Sequence, residues 1–186
     1  MALIYTTADT TTDLKGILEL QKKNLARSLS SAEITEQGFV TVDHTFGQLE
    51  SLNSYEKHIV CKDGGKVVAY LLAMTINSKD DIPVLVPMFD QFNALQLDGK
   101  PLSDYRYIVV GQVCVDKSYR GKGILDQCYA AYKNAFKDTY DFAITEISTR
   151  NTRSLKAHER IGFEELSRYV GPDGEEWVIV LWRFNE

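Results

Sequence analysis

Long apolar runs are missing from this sequence: no stretch approaches the ~20 residues that a membrane-spanning helix needs. The start, Met1-Ala-Leu-Ile-Tyr5, lacks the basic opening and extended apolar core of a secretory signal, so a cytoplasmic protein is expected. Cysteine is scarce. Cys61, Cys114 and Cys128 are odd in number and each sits in an apolar segment, which predicts buried reduced thiols rather than a disulfide framework. His44, His58 and His158 lie far apart, and there is neither a CxxC nor a His-x-x-x-His pair, so no metal site is expected. Positive charge is also short. The 21 Lys and Arg against 26 Asp and Glu leave a net charge of −5, which argues against a nucleic-acid partner and leans toward a cationic one.

What is present suits one globular domain over residues 1–186, with 44% hydrophobic and 25% charged residues and no repeats or linkers. The chain is organised around Ile108–Val115, a short apolar run rich in β-branched residues that reads as a buried strand. Asp116-Lys-Ser118 breaks it and Arg120-Gly-Lys-Gly123 follows. Ile124, Leu125, Cys128, Ala131, Tyr132, Ala135 and Phe136 then recur at helical spacing. A strand, a glycine-rich turn and a helix start aim unpaired N–H groups and the positive end of the helix dipole at one spot, which binds phosphate. The spacing is not that of a Walker loop. Nor is it the dinucleotide fingerprint, because position 126, where a third glycine belongs, is Asp.

A second pattern lies downstream. Phe142–Thr149 reads as a strand, Asn151-Thr-Arg-Ser154-Leu-Lys-Ala-His158 opens a short helix ending at Gly162, and Phe163–Tyr169 reads as the next strand. Upstream, Leu3–Thr6 is a candidate strand, and Leu14, Ile17, Leu18 and Leu25 mark a helix face with Thr11, Thr12 or Asp13 to cap it. Residues 28–37 read as a loop, His44 as an exposed loop histidine, and Thr45-x-x-Gln48 as a capping box. Asp63-Gly64-Gly65 joins a hairpin. Residues 77–104 form a long connection in which Pro87 starts a helix with Met88, Phe89, Phe92 and Leu95 on one face, either a lid or a helix packed on the sheet or a second subunit. A turn at Gly171–Gly174 precedes Trp177–Phe184, which is apolar on both faces and so buried on both.

Arg120-x-x-Gly123-x-Leu125 followed by Asn151-x-x-Ser154…His158…Gly162-Phe163 resembles the GNAT superfamily of acyl-CoA-dependent N-acyltransferases, with Leu125 standing where the family usually has Gly or Ala. The motifs cover the middle third of the chain, and the order of elements extends the likeness to the C-terminus. The resemblance implies an α/β fold with a mixed, largely antiparallel central sheet flanked by helices. It implies acetyl-CoA as cosubstrate and an N-acetyltransferase whose acceptor, a primary amine on a small molecule or peptide, attacks directly. Many relatives pair, which leaves a homodimer open. The main chain of Gly121, Lys122, Gly123, Ile124 and Leu125, with the charge of Arg120, would hold the pyrophosphate. Val113 and Val115 would offer main-chain groups to the pantetheine arm, and a main-chain N–H near Val113 would face the thioester carbonyl. Asn151 and Ser154 would join the cofactor site.

For catalysis, His158 stands where many relatives carry a tyrosine that protonates the sulfur, and Glu146 where some protein N-terminal acetyltransferases place a general base. Each has a plainer reading. Val113 and Val115 pack in the core, Asn151 caps a helix, His158 is a core or surface histidine, and Glu146 is an ion-paired or edge-exposed strand residue. Gln112 cannot take a proton but can hold a water or the substrate, and Gly38, Phe39 and His44 are candidate wall residues of the acceptor site, the plainer reading of His44 being an exposed loop histidine. Cys114, beside Asp116, reads as structural. The rival function is a catalytically silent acyl-CoA-binding module with a sensing or scaffolding role.

Overall fold

The most apolar strands end up in the middle of one sheet. The computed structural model describes residues 2–30, 32–34, 38–172 and 174–185. Its strands are β1 (Ile4–Thr7), β2 (Ile59–Asp63), β3 (Lys66–Met74), β4 (Gln96–Leu97), β5 (Lys100–Pro101), β6 (Tyr107–Val115), β7 (Phe142–Ser148), β8 (Glu164–Val170) and β9 (Glu176–Arg183). The helices are α1 (Thr11–Asn24), α2 (Phe46–Tyr55), α3 (Val86–Ala94), α4 (Ile124–Phe136) and α5 (Thr152–Ile161). Seven strands pair in the order β1-β2-β3-β6-β7-β9-β8, and β4 with β5 forms a separate small hairpin. Every neighbour in the main sheet is antiparallel except β6 and β7. The sheet is therefore mixed and largely antiparallel, with helices on both faces, as the sequence predicts.

Strand β9 shows why its sequence has no polar face. Val178 and Val180 point into the core under α4, while Ile179 and Leu181 point into the core under α3. A strand flanked by two others and covered on both sides reads as a continuous apolar run. Helices α1 and α2 cover a third apolar cluster with Val60, Tyr70, Leu72 and Cys114.

Strand β6 carries an irregularity that matters for the site. Leu72 pairs with Gln112 and Ala73 with Val110, so Gly111 is an extra residue, a β-bulge. The parity of the strand changes there. Ile108 and Val110 face the α4 core before it, and Val113 and Val115 face that core after it. A side chain at Gly111 would collide with Met74 Sδ, so the position demands glycine.

Several expectations are revised. The N-cap of α1 is Thr10, not Thr11–Asp13; its hydroxyl accepts from the Asp13 N–H while the Asp13 carboxylate accepts from the Thr10 N–H. The Thr45–Gln48 box is present. The 77–104 connection holds its own structure, and Met88, Phe89 and Phe92 are buried, with Phe92 6.2 Å from Tyr107 ring to ring. This is the helix packed on the sheet rather than a lid. His44 is buried rather than exposed. Of the 28–37 loop, residues 31 and 35–37 lie outside the described residues, as does Asp173 of the last turn; Ala26–Ser28 forms a 3-10 turn. All three cysteines are buried free thiols. No helix among the described residues is long and apolar enough to cross a membrane.

Candidate active site

Strands β6 and β7 stay paired for only three residues: Tyr107 with Phe142, Ile108 with Ala143, Val109 with Ile144. The Thr145 hydroxyl then donates to the Val110 carbonyl at 2.7 Å, and beyond it the strands part. The bulge at Gly111 bends β6 away at that point. A cavity of about 470 Å³ fills the wedge, with Gly111–Val115 along one side and Thr145–Ser148 along the other.

The glycine turn closes one end. Gly121 and Gly123 both adopt φ +72°, left-handed backbone that favours glycine, and a Cβ at either would meet nothing within 4 Å. Gly123 is the N-cap of α4, and no side chain caps that helix. The first N–H groups of α4, from Ile124 to Asp126, thus have no intrahelical partner, and these residues line the cavity. Arg120 braces the turn from behind: Nε donates to the Val115 carbonyl at 2.9 Å and Nη2 to Asn24 Oδ1 at 2.6 Å. Leu125 lines the cavity and rests its side chain on the α4 core.

Asn151 is the N-cap of α5, its Oδ1 accepting from the Ser154 N–H at 3.3 Å, so the capping reading holds. It does a second thing. Nδ2 donates to the Phe39 carbonyl at 3.1 Å, and Gly38 (φ +71°) passes so close that a Cβ there would sit 2.7 Å from Asn151 Oδ1. The segment 38–44 is fastened further along by Gln112 Nε2, which donates to the Val42 carbonyl at 2.9 Å while the Tyr70 hydroxyl donates to Gln112 Oε1 at 2.6 Å. Gln21 Nε2 donates to the His44 carbonyl at 3.3 Å and accepts the His44 Nδ1–H at 2.9 Å through Oε1. Gly38, Phe39, Val40 and Thr41 thereby become a wall of the cavity. His44 does not line it. Burial pulls its imidazole down to about 4, so it is a neutral structural group.

His158 lines the cavity but is 2% exposed. Nδ1 donates to the Ser154 carbonyl at 2.8 Å, which leaves Nε2 to accept the Tyr129 hydroxyl at 2.6 Å. Ser154 Oγ lies 3.3 Å from Nδ1. Tyr129 and Phe163 pack edge-on against the ring at 5.5 and 4.9 Å. Burial pushes the pKa to about 4, so His158 is neutral near pH 7 with both nitrogens engaged. A protonated donor is at odds with these surroundings.

Glu146 on β7 is half-buried and lines the cavity, and the Tyr169 hydroxyl donates to its Oε2. Trp177 lines the same region. Nearby, Glu175 accepts from the Ser148 hydroxyl and pairs with Arg150 at 2.7 Å. Cys114 lines the cavity too, but burial pushes its thiol up to about 12, which rules out a ready thiolate. Among the described residues no group of three or more His, Cys, Asp or Glu side chains is placed to hold a metal ion.

Sequence reasoning brings together the glycine turn, Val113, Val115, Asn151, Ser154, His158 and Glu146, and the cavity borders these except for Lys122 of the turn, whose Nζ donates to the Ser118 carbonyl at 2.9 Å. It misses Tyr169, Tyr70, Gln21 and Gly111. A lone glycine inside an apolar run is the signal for the last of these; the polar braces carry no signal, because their partners are distant in the chain.

A family model described as the acetyltransferase (GNAT) family matches residues 24–163. Among curated proteins none matches. Solved structures share the fold at low identity. The ribosomal-protein-S18-alanine N-acetyltransferase from Escherichia coli is 14% identical with a TM-score of 0.64, over 100% of this chain and 96% of that one. An N-acetyltransferase from Staphylococcus aureus Mu50 is 17% identical with a TM-score of 0.64, over 100% of both chains. A putative acetyltransferase from Salmonella typhimurium, solved with its cofactor acetyl-CoA, is 14% identical with a TM-score of 0.63, over 100% of this chain and 96% of that one.

Proposed function

The chain belongs to the acetyltransferase (GNAT) family, and from that premise we propose that it transfers an acetyl group from acetyl-CoA to a primary amine, borne by a small molecule or a peptide. The observation that carries this reading is the parting of β6 and β7 after Val109 and Ile144, which opens a wedge running to the bare glycine turn. The donor set fits the coenzyme. The uncapped start of α4 and the left-handed Gly121 and Gly123, with Lys122 between them and Arg120 behind, suit a pyrophosphate. Beyond its pairing with β7, the edge of β6 from Gly111 to Val115, with Val113 and Val115 side chains turned to the core, leaves main-chain groups for an extended amide-bearing arm, the Val115 carbonyl being already engaged by Arg120 Nε. Leu125, turned onto the core, leaves its own backbone clear. Asn151 and Ser154 border the same wedge at the start of α5.

Acetyl-CoA supplies the acetyl thioester; the rest falls to this chain. An amine with an ordinary pKa near ~10 arrives protonated and must lose a proton before it attacks. Glu146, half-buried and held by Tyr169, takes that proton, directly or through a water. Main-chain N–H groups around Gln112 and Val113 are the donors for a carbonyl oxygen that gains negative charge. A second proton leaves the same nitrogen as the amide forms, and the departing sulfur takes it. His158, neutral and doubly hydrogen-bonded, serves in this reading as a positioning group that holds α5 against Tyr129 of α4.

The test is calorimetric binding of acetyl-CoA together with release of free thiol on mixing with a panel of amines. Binding plus amine-dependent thiol release supports the proposal. Tight binding with no thiol release from any amine would turn the assignment to a silent acyl-CoA-binding module. Absence of binding would overturn both.

A further inference from the structure

The cations on α5 are not explained by the pyrophosphate turn. Arg153, Lys156 and Arg160 stand at i, i+3 and i+7, one exposed face of the helix, and all three line the cavity beside Gly121 and Gly123. The opposite face, with Leu155, His158 and Ile161, packs inward. In a chain of net charge −5, three cations lining one cavity from a single helix are a local inversion of sign. Two further details sharpen it. Arg153 comes near enough to Arg120 to oppose its charge, which adds to the burial that lowers the Arg120 guanidinium. Two like charges gathered at one mouth favour an anion between them. Asp126, in the first turn of α4, would repel such an anion, but Arg160 Nη1 holds its carboxylate at 2.5 Å. Of the acidic residues lining the cavity among the described residues, the other, Glu146, belongs to β7.

A pyrophosphate alone is met by the turn and Arg120, so the α5 cations call for a second phosphoryl group close to the first. A phosphomonoester carries up to two charges and several acceptor oxygens, which suits an arginine fork beside a lysine. We propose that Arg153 and Lys156 hold the ribose 3′-phosphate of coenzyme A, with Arg160 masking Asp126, so that the protein distinguishes the coenzyme from its 3′-dephospho form. The proposal rests on the coenzyme reading above and deepens it.

Calorimetric titration with CoA and with 3′-dephospho-CoA tests it without any turnover. The wild type is expected to bind CoA about tenfold more tightly or better, the loss of one charge-assisted contact being worth roughly that factor. Arg153→Ala/Lys156→Ala is expected to bind dephospho-CoA as the wild type does and CoA no more tightly. Lys156→Glu is expected to reverse the preference. Unchanged dephospho-CoA affinity certifies the fold of each variant. Equal affinities in the wild type, or a preference that survives the double substitution, would overturn the phosphate assignment while leaving the coenzyme site standing. A wild type that binds neither ligand would remove both.

Discussion

The Tyr169 hydroxyl donates to Oε2 of Glu146 from the far side of an intervening strand. Tyr169 lies opposite Trp177 on β9, and Trp177 lies opposite Ser148 on β7, two residues along from Glu146. The phenol therefore reaches diagonally over β9 to the one acidic side chain of β7 that borders the cavity. A carboxylate pinned at one oxygen keeps its other oxygen in a defined direction, which is what a proton acceptor needs.

If Glu146 is the base, Glu146→Gln should lower kcat/KM by about 10² or more. Tyr169→Phe, which removes only the orienting hydroxyl, should cost about tenfold or less on the same measure. Because the tyrosine acts through the carboxylate, adding Tyr169→Phe to Glu146→Gln should cost nothing further. Independent, multiplying losses would mean that the two side chains do not work as a unit.

Gly123 and Gly65 provide a matched pair. Both have positive φ and open space where a Cβ would go. Valine at either should destabilise the fold by about 1–2 kcal/mol through left-handed strain. Only Gly123→Val places its side chain at the bare start of α4, so only that variant should lose acetyl-CoA affinity, by at least about tenfold. Urea midpoints and calorimetry on both variants separate strain from obstruction. Equal loss of affinity at Gly65 would show that the effect is global.

The turn and the α5 start are legible in sequence because each is contiguous: strand, breaker, glycines and helical spacing lie within some thirty residues. The cavity wall is not, since Gln21, Val42, Tyr70 and Gln112 come from four separate elements and polar contacts leave no period in the chain. His44 reads as exposed because its neighbours are polar, yet Gln21 from α1 draws it inside. The α1 cap is ambiguous for a local reason: Thr10, Thr11, Thr12 and Asp13 are all capping residues, and only the backbone decides among them. For His158 the motif position points to the sulfur, while burial against Tyr129 and Phe163 decides its charge.

Acid should unfold this protein through its histidines first. Burial lowers His58 to about 3 and His44 and His158 to about 4. His58 is fixed as a neutral ring, with Nδ1 accepting the Ala73 N–H at 3.1 Å and Nε2 donating to the Leu49 carbonyl at 3.2 Å. A folded pKa below the unfolded value near ~6.5 means that the unfolded chain binds more protons. The contribution is complete above that pH and drains away as pH falls toward 4, at up to about 1.4 kcal/mol per pH unit for each ring. Asp13, where burial pulls up but Lys62 and Thr10 pull down harder, loses its share only below about pH 4. Urea midpoints at pH 7.5, 6 and 5 should therefore fall steeply within the histidine window alone. A flat profile from 7.5 to 5 would contradict three buried neutral rings.

The bulge in β6 depends on Gly111 and Met74 together. A methyl group at 111 would run into the Met74 thioether, which is itself fully buried in the core under α3. Gly111→Ala should cost about 1–3 kcal/mol as an overpacked core position and should also weaken acetyl-CoA binding, because the strand must shift where it leaves β7. Met74→Ala alone should cost about 2–5 kcal/mol through the cavity it leaves. Combined, the smaller side chain makes room for the added methyl, so the double variant should be more stable than the sum of the two losses allows and should recover part of the lost affinity. Strict additivity in both stability and affinity would show that the bulge is set by the strand itself and not by the sulfur packed against it.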